Sequence, residues 1–540
     1  NMIKEEIGKL LSDNVEVCKD FSHGDYYSSL PLKIAKETGR DPMVVAKEII
    51  DRIKKPDSIS KIEAAKPGFI NFFLSKKCLK QELKDVFDKL DKYGSGDWGK
   101  DKTIVIDYSS PNIAKSFGIG HLRSTIIGQA IYNIYKFSGW NCIGDNHIGD
   151  WGTQFGKLIF QIKKCNLVND IENLTVQDLE SLYVDFHKDV VGNPEIEDEA
   201  REYFKRLESG DEEIKKIWQV CVKKSLEEFE RIYNILGVKI DNIYGESFYT
   251  SMASDIIKEA EDLKISRKSE GATIIEFDDL PVVILAKSDG STTYFARDLA
   301  AIKYRVNKWN PDKIVYEVGS DQSLYFKQLF KAAKMFNWSS GLELVHINHG
   351  LVRWPHGKFS TRKGDTIHLE SVLKESIKRA GDIVDQSQDI AQMVGIGAVK
   401  YNDLSQHYSR DIVFDWDKMI NLKGNSGPYI QYTFARANSV LEKYIGQYDH
   451  NIEISNEEEL LLLRKIRFWT ETVELSAKNY SPNIICNFLF DLSQTYNLFY
   501  NNNRIIGGKN EKTGIALTFA VATVIKNGLT LLGIDFPKKM

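Results

Sequence analysis

Apolar positions along the chain fall into two alternating kinds of run between residues 101 and 350. "TIVIDY" (103–108), "KIVYEVG" (313–319) and "ELVHINH" (343–349) are short and unbroken, as in strands buried on both faces. "STIIGQAIYNIYKFSG" (124–139) instead repeats its apolar residues at helical spacing and stops at Gly139. Strands that alternate with helices in this way predict a doubly wound parallel sheet, a Rossmann-like α/β unit. Within it, residues 151–240 read as a charged, helical insertion ending in a helical hairpin. "PVVILAKSDGSTTYFARDLAAIKYR" (281–305) reads as strand, Asp289-Gly290 turn, strand and helix.

The flanks carry other periods. In "GRDPMVVAKEIIDRI" (39–53), Asp41 is placed as an N-cap with Pro42 at the first helical position. "SKIEAAKPGFINFFLS" (60–75) alternates around Pro67-Gly68 and predicts a hairpin, and "YGSGDWG" (93–99) reads as a Gly-rich linker. Beyond about residue 375 the strand signal fades. "ISNEEELLLLRKIRFWTETVELSAK" (454–478) predicts an amphipathic helix opened by a capping box from Ser455 to Glu458. Helices are also expected at 483–502 and, one or two of them, within 511–533. The expected domains are therefore an α+β unit over 1–100, the parallel-sheet unit with helical insertions over 101–375, and a helical bundle over 376–540.

Composition narrows the function classes. A chain of 540 residues holds three or four domains at roughly 150 residues each. The net charge of −4 excludes a uniformly basic coat for nucleic acid, leaving local patches to make any such contact. Six scattered cysteines without a CxxC pair predict a reducing, cytosolic setting and give no zinc site. His346 and His349 form an HxxH that nothing nearby completes as a ligand set. The apolar run 514–525 stops at Lys526, too short to span a bilayer, and the N-terminus lacks a signal-peptide layout.

The chemistry concentrates at "SSPNIAKSFGIGHLRSTIIGQA" (109–130), a turn from predicted strand to predicted helix. In an open parallel sheet, ligands bind beyond the strands' carboxyl ends, and a helix N-terminus favours an anion. Gly118 and Gly120 permit close approach of a ligand, while Lys115 and His121 can meet phosphate. The same residues would also serve as a plain Gly-rich connection with a capping histidine.

This stretch resembles the first signature of class I aminoacyl-tRNA synthetases, and SPN, AK and GHLRST resemble the arginyl form in particular. Further collinear segments resemble the same family: "IGDWGTQFGKL" (148–158), "GESFY" (245–249), "YFARDLAAIKYR" (294–305), "VGSDQ" (318–322), "KFSTRKG" (358–364), "DLSQHYSRDIVFDWDKM" (403–419) and "GNSGPYIQYTFAR" (424–436). The resemblance implies synthesis of arginyl-adenylate from arginine and ATP with Mg2+, then transfer of arginine to the terminal adenosine of its tRNA. No structural metal, DNA or membrane partner is expected, and the chain is expected to act as a monomer.

By the same resemblance Ser110, Asn112, Gly118, Gly120 and His121 line the ATP site. Asn112, Asn146, Glu246, Tyr294, Asp298 and Gln322 form the arginine pocket, with Glu246 and Asp298 pairing the guanidinium, as carboxylates do bidentately. Lys115, His121, Lys358, Ser360, Arg362 and Lys363 would serve the reacting phosphates. Two positions depart from the family pattern. Gly118 stands where the first signature histidine usually is, although some members lack it. Thr361 stands where the second lysine of the Lys-Met-Ser-Lys-Ser loop would be, a role that Lys115 can take over. Tyr432 and Arg436, in the first helix of the bundle, are candidates for the anticodon. Two rivals remain at this point: another class I adenylate-forming synthetase, or a silent relative that binds RNA.

Overall fold

The computed structural model describes residues 2–18, 20–353, 368–384 and 387–540. Its first unit is an antiparallel sheet of four strands, β1 (Glu16–Val17), β2 (Tyr26–Ser28), β3 (Ile59–Ala65) and β4 (Phe69–Leu74), in the order β1-β2-β4-β3. β3 and β4 are the hairpin expected around Pro67-Gly68. Asp41 caps the helix Pro42–Arg52, accepting the Met43 amide at 2.7 Å, as its placement ahead of a proline predicts.

Five parallel strands make the central sheet: β5 (Thr103–Asp107), β6 (Asn141–Asn146), β7 (Asn242–Ile243), β11 (Lys313–Gly319) and β12 (Glu343–His349). Their order is β12-β11-β5-β6-β7. The chain moves from β5 to β6 and β7 on one side and to β11 and β12 on the other. The switch point of this sheet is therefore the carboxyl end of β5, where a ligand crevice is expected. The helix Ile119–Phe137 leaves from that point, and Gly128 lets it close on the sheet: a Cβ there would lie 2.3 Å from Tyr108.

A small antiparallel sheet, β8 (Arg267–Ser269), β9 (Ala272–Ile275) and β10 (Val283–Ala286), interrupts the parallel pattern. The second strand expected after Asp289-Gly290 shrinks to a bridge between Ala286 and Thr292, because the chain turns directly into the helix Tyr294–Trp309. The pair β13 (Val352–Arg353) and β14 (Ile412–Val413) ties the two halves of the chain together.

The C-terminal region is helical, as expected, with two corrections. The cap at 455–459 sits one residue later: Asn456 accepts the Glu459 amide at 2.8 Å, and Glu459 reaches back to the Ser455 amide at 2.7 Å. The expected long helix breaks at Phe468 into Glu457–Arg467 and Trp469–Lys478. Residues 511–531 are one helix, long and apolar enough to cross a membrane, but 83% of its apolar window is buried inside the protein, so it is the core of the bundle. The Gly-rich stretch 93–99 is packed as well. Trp469 donates its indole N–H to the Tyr93 carbonyl at 3.0 Å, and a Cβ on Gly94 would fall 2.2 Å from that ring.

Candidate active site

Past β5 the backbone enters the left-handed region at three non-glycine residues, Ser109 (φ +77°), Ser110 (+44°) and Ala114 (+57°). Such residues cost about 1–3 kcal/mol each and persist where surrounding contacts impose them. Here the contacts are hydrogen bonds. Ser109 Oγ pairs with Thr125 Oγ1 at 2.8 Å and with the Tyr233 hydroxyl at 2.7 Å. Ser110 donates its amide to Asn146 Oδ1 at 2.9 Å, and Ala114 donates to Ser225 Oγ at 2.8 Å. Tyr233 and Ser225 come from the helix Glu212–Leu236, so one function of the insertion is to hold this turn.

The turn feeds the helix Ile119–Phe137, with Gly118 as its N-cap residue. Gly118 donates its amide to His121 Nδ1 at 3.2 Å. An accepting Nδ1 puts the proton of a neutral imidazole on Nε2. Burial, and secondarily the charge of Lys115, lowers the His121 pKa and keeps the ring neutral. The result is an oriented N–H donor on the first turn of a helix whose own amides favour an anion. A Cβ on Gly120 would meet nothing within 4 Å, so that face of the turn is open. Lys115 is exposed, with Nζ 5.5 Å from the Tyr183 ring, and does not line the cavity beside the turn.

That cavity, about 470 Å³, opens at the carboxyl ends of β5 and β11. Of the predicted arginine and ATP residues, it brings together Ser110, Asn112, Glu246, Tyr294, Asp298 and Gln322. Asn146 does not face it: the side chain is fully buried, its oxygen on Ser110 and its Nδ2 donating to Tyr233 at 3.0 Å. Both ends of that amide are used, so Asn146 shapes the turn from behind. Lys358, Ser360, Arg362 and Lys363 lie outside the described residues.

Glu246 opens the helix Glu246–Asp262. Asp150, in the loop after β6, caps this helix by accepting the Ser247 amide at 2.8 Å. Gly245 is required for that approach, since a Cβ there would fall 2.3 Å from the Asp150 carboxylate. Burial pushes the Glu246 carboxyl above its ordinary value, against the pull of His147 and of Arg297, whose Nη2 lies 3.3 Å away. Asp298 stands four residues into the helix capped by Thr293 and accepts the hydroxyl of Tyr325. Its other oxygen faces His147 Nε2 at 3.3 Å. Tyr294, 60% exposed, forms the rim beside Tyr325.

Sequence reasoning did not single out His147, Asp107, Arg305, Tyr316, Asp321 or Tyr325 as site residues, and all line the cavity. Arg305 is fully buried, with Nη2 on Asp107 at 2.7 Å and Nε on Asp145 at 2.8 Å. Asp107 also accepts the Ser110 hydroxyl at 3.0 Å, so the pair reaches the strained turn. "NHIGDWG" beside a quoted motif was the available signal for His147; Arg305 closes the quoted segment "YFARDLAAIKYR", but nothing in that segment marks it as half of a buried ion pair.

In the helical region Arg436 lies between the rings of Tyr432 (4.8 Å) and Tyr500 (4.9 Å), half-buried. Tyr496 and Phe499 are core residues. His346 and His349 turn to different partners, the Val318 carbonyl at 3.0 Å and Glu317 at 2.9 Å.

Comparison with known proteins matches all three regions to families. Residues 83–416 match "tRNA synthetases class I (R), catalytic domain", residues 430–540 the DALR anticodon binding domain, and residues 1–74 the arginyl tRNA synthetase N terminal domain. The chain is 38% identical over 560 residues to an arginine–tRNA ligase of Clostridioides difficile, covering 100% of this chain and 98% of that one. It is 36% identical over 561 residues to an arginine–tRNA ligase of Halothermothrix orenii, with the same coverage. The crystal structure of arginyl-tRNA synthetase from Plasmodium falciparum superposes with a TM-score of 0.89 at 26% identity, covering 100% of this chain and 99% of that one. A cavity lined by Glu246 and Asp298 at a sheet's switch point, three family matches in order and full-length relatives agree: the chain belongs to the arginyl-tRNA synthetase family of class I tRNA synthetases.

Proposed function

We propose that the chain uses this cavity to join L-arginine to ATP and then to its tRNA. As a member of the family it is an ATP-dependent aminoacyl-tRNA ligase for arginine. The observation that carries the assignment of the site is the acidic cavity of Glu246 and Asp298, whose lining reaches Ser110 and Asn112 of the turn that leads into the helix headed by Gly118. Arginine lies with its guanidinium toward the two carboxylates and its own carboxylate toward Ser110 and Asn112. An oxygen of that carboxylate attacks the α-phosphorus of ATP, which enters as its magnesium complex, and pyrophosphate leaves. The terminal ribose hydroxyl of tRNA then attacks the carbonyl carbon, and AMP leaves. His121 donates to the phosphates, a preorganised bond aimed at developing charge. Lys115, with Lys358, Ser360, Arg362 and Lys363, supplies further phosphate contacts.

The three regions act as a unit. Residues 1–100 grip the tRNA body, 101–375 carry the chemistry, and 376–540 meet the anticodon, with Arg436 and Tyr432 as a stacking platform. The protein works as a monomer in a reducing compartment, a reading that its six free thiols support. ATP–pyrophosphate exchange with arginine, measured with and without arginine-accepting tRNA on wild type and Lys115→Ala, tests it. Exchange that needs arginine and falls in the variant is expected; no exchange with arginine on folded protein under either condition refutes it.

A further inference from the structure

His147 is the first residue after β6, and an acceptor lies near each of its ring nitrogens. Nδ1 is 3.1 Å from the Tyr244 carbonyl oxygen, and Nε2 is 3.3 Å from Asp298 Oδ1. The Tyr244 carbonyl can only accept, which fixes a proton on Nδ1, and the Asp298 carboxylate 3.3 Å from Nε2 favours a second proton there by charge, making the ring an imidazolium. It stands in the cavity wall beside one of the two carboxylates assigned to the substrate guanidinium. A second cation at Asp298 must therefore reckon with one already there.

We propose that His147 is the resident cation of the arginine pocket: its imidazolium holds Asp298 while the pocket is empty, and it releases one proton to solvent when the substrate guanidinium takes over that carboxylate. The inference rests on the placement of arginine in this cavity. The exchange balances, since imidazolium plus guanidinium become neutral imidazole, guanidinium and one proton. The tautomer left behind keeps Nδ1–H on the Tyr244 carbonyl, and Nε2 becomes an acceptor pointing at the incoming N–H groups. His147 is thus a positioning residue for Asp298 in the empty pocket and an acceptor for substrate in the filled one.

The charged groups around the ring agree with this direction. Asp107 and Asp298 favour the imidazolium, and Arg305 opposes it. Burial is the strongest opposing influence, yet the nearby Asp298 carboxylate prevails and lifts the ring to about 9. Glu246, Asp145 and Asp150 face it as well, and burial pushes each of their carboxyls upward from the acid side. A new cation at Asp298 cancels the charge that sustains the imidazolium, so the pKa falls on binding. Between the lowered pKa of the bound state and about pH 9, binding then releases a proton, and affinity rises with pH. A neutral isostere of arginine, with a urea in place of guanidinium, has no charge to exchange and leaves the imidazolium on Asp298.

Calorimetric titration of the full chain with L-arginine at about pH 7.5, in buffers of different ionisation enthalpy, counts the protons released. The expected result is close to one for wild type, with arginine affinity rising toward tenfold per pH unit. His147→Gln is expected to release only what the substrate's own α-amino group contributes, and its affinity is expected to be nearly flat in pH. Wild type that binds arginine with no buffer dependence overturns the inference and leaves the placement of arginine intact. Wild type that releases a proton equally well when His147→Gln does also overturns it. Binding of L-citrulline as tight as L-arginine, or no arginine binding at all, overturns the placement itself. The wild-type buffer series needs no variant, and a thermal melt checks that His147→Gln is folded.

Discussion

Replacing Arg305 by Met strands two buried carboxylates, and the size of the effect follows from the geometry. Arg305 has no exposed surface, and the side chains of Asp107 and Asp145 are 5% and 0% exposed. Each ion pair is worth about 4 kcal/mol at an effective dielectric constant of about 20 and a charge separation of about 4 Å. The loss has a ceiling, because a stranded Asp can take up a proton instead. At about pH 7, neutralising a group of ordinary pKa about 3.9 requires roughly 4 kcal/mol at 1.36 kcal/mol per unit. Breaking a buried pair from one side typically costs about 3–5 kcal/mol, inside the roughly 8 kcal/mol that two such groups allow. Arg305→Met is therefore expected to lose about 3–5 kcal/mol in the urea transition of the catalytic unit, followed by tryptophan fluorescence. The sign with pH is fixed by the same reasoning: at about pH 5 protonation is cheaper by roughly 2.7 kcal/mol per group, so the loss must shrink. Arg305→Lys keeps the charge but not the fork, and an intermediate loss is expected. A loss under about 1 kcal/mol, or one that grows on acidification, refutes this account of the pair.

Gly245→Ala puts a methyl group 2.3 Å from the Asp150 carboxylate and displaces Glu246; an overpacking cost of about 1–3 kcal/mol should raise the KM for arginine about ten- to a hundredfold while the KM for ATP holds. His121→Ala removes a preorganised phosphate donor, and steady-state kinetics should show kcat lower by about 10²–10³ with the KM for arginine little changed. Arg436→Ala takes the guanidinium from between Tyr432 and Tyr500; aminoacylation assays should show a KM for tRNA raised about tenfold, as loss of one stacking contact implies, with the melting temperature unchanged. Trp469→Ala removes a fully buried indole between the first unit and the bundle, and calorimetry should show a loss of about 3–5 kcal/mol.

Much of the fold was legible because its strands are unbroken apolar runs. β11 and β12 coincide with "KIVYEVG" and "ELVHINH" to the residue. What escaped was short or was held by tertiary contact. β8 and β9 are three and four residues long and flanked by charge, too brief for a period to register. "YGSGDWG" reads as a linker by composition, but Tyr93 and Trp469 pack it into an interface that joins positions 376 apart. In the cavity, the motif residues Glu246, Tyr294, Asp298 and Gln322 arrive together because Glu246, Tyr294 and Gln322 each begin or end an element at the same edge of the sheet, and Asp298 lies one turn into the helix that Tyr294 begins. Arg305 was illegible for the opposite reason: its partners lie 198 and 160 positions away, and nothing near it marks a buried ion pair. Asn146 shows the limit of reading by adjacency, since a polar residue beside a motif faces inward to hold the turn.

Three carboxylates of this cavity, Glu246, Asp298 and Asp107, each face a cation. Glu246 has Arg297 at 3.3 Å, Asp298 has His147 at 3.3 Å, and Asp107 has Arg305 at 2.7 Å. A buried carboxylate without a cation would take up a proton, and a neutral acid no longer selects for charge. In the empty pocket Arg297 and His147 stand against Glu246 and Asp298, so on the proposed placement of arginine the substrate competes with them for these carboxylates. That competition separates ligands by charge more sharply than by shape: a guanidinium can replace an imidazolium at Asp298, whereas an uncharged isostere would have to break the pair and leave two charges unmatched. The difference between the two outer pairs then matters. Arg297 cannot lose its charge near neutral pH and must swing away or share Glu246, while His147 can yield by losing a proton where it stands. On the proposed placement of arginine, Asp298 is accordingly the carboxylate that the substrate can claim without moving the pocket wall.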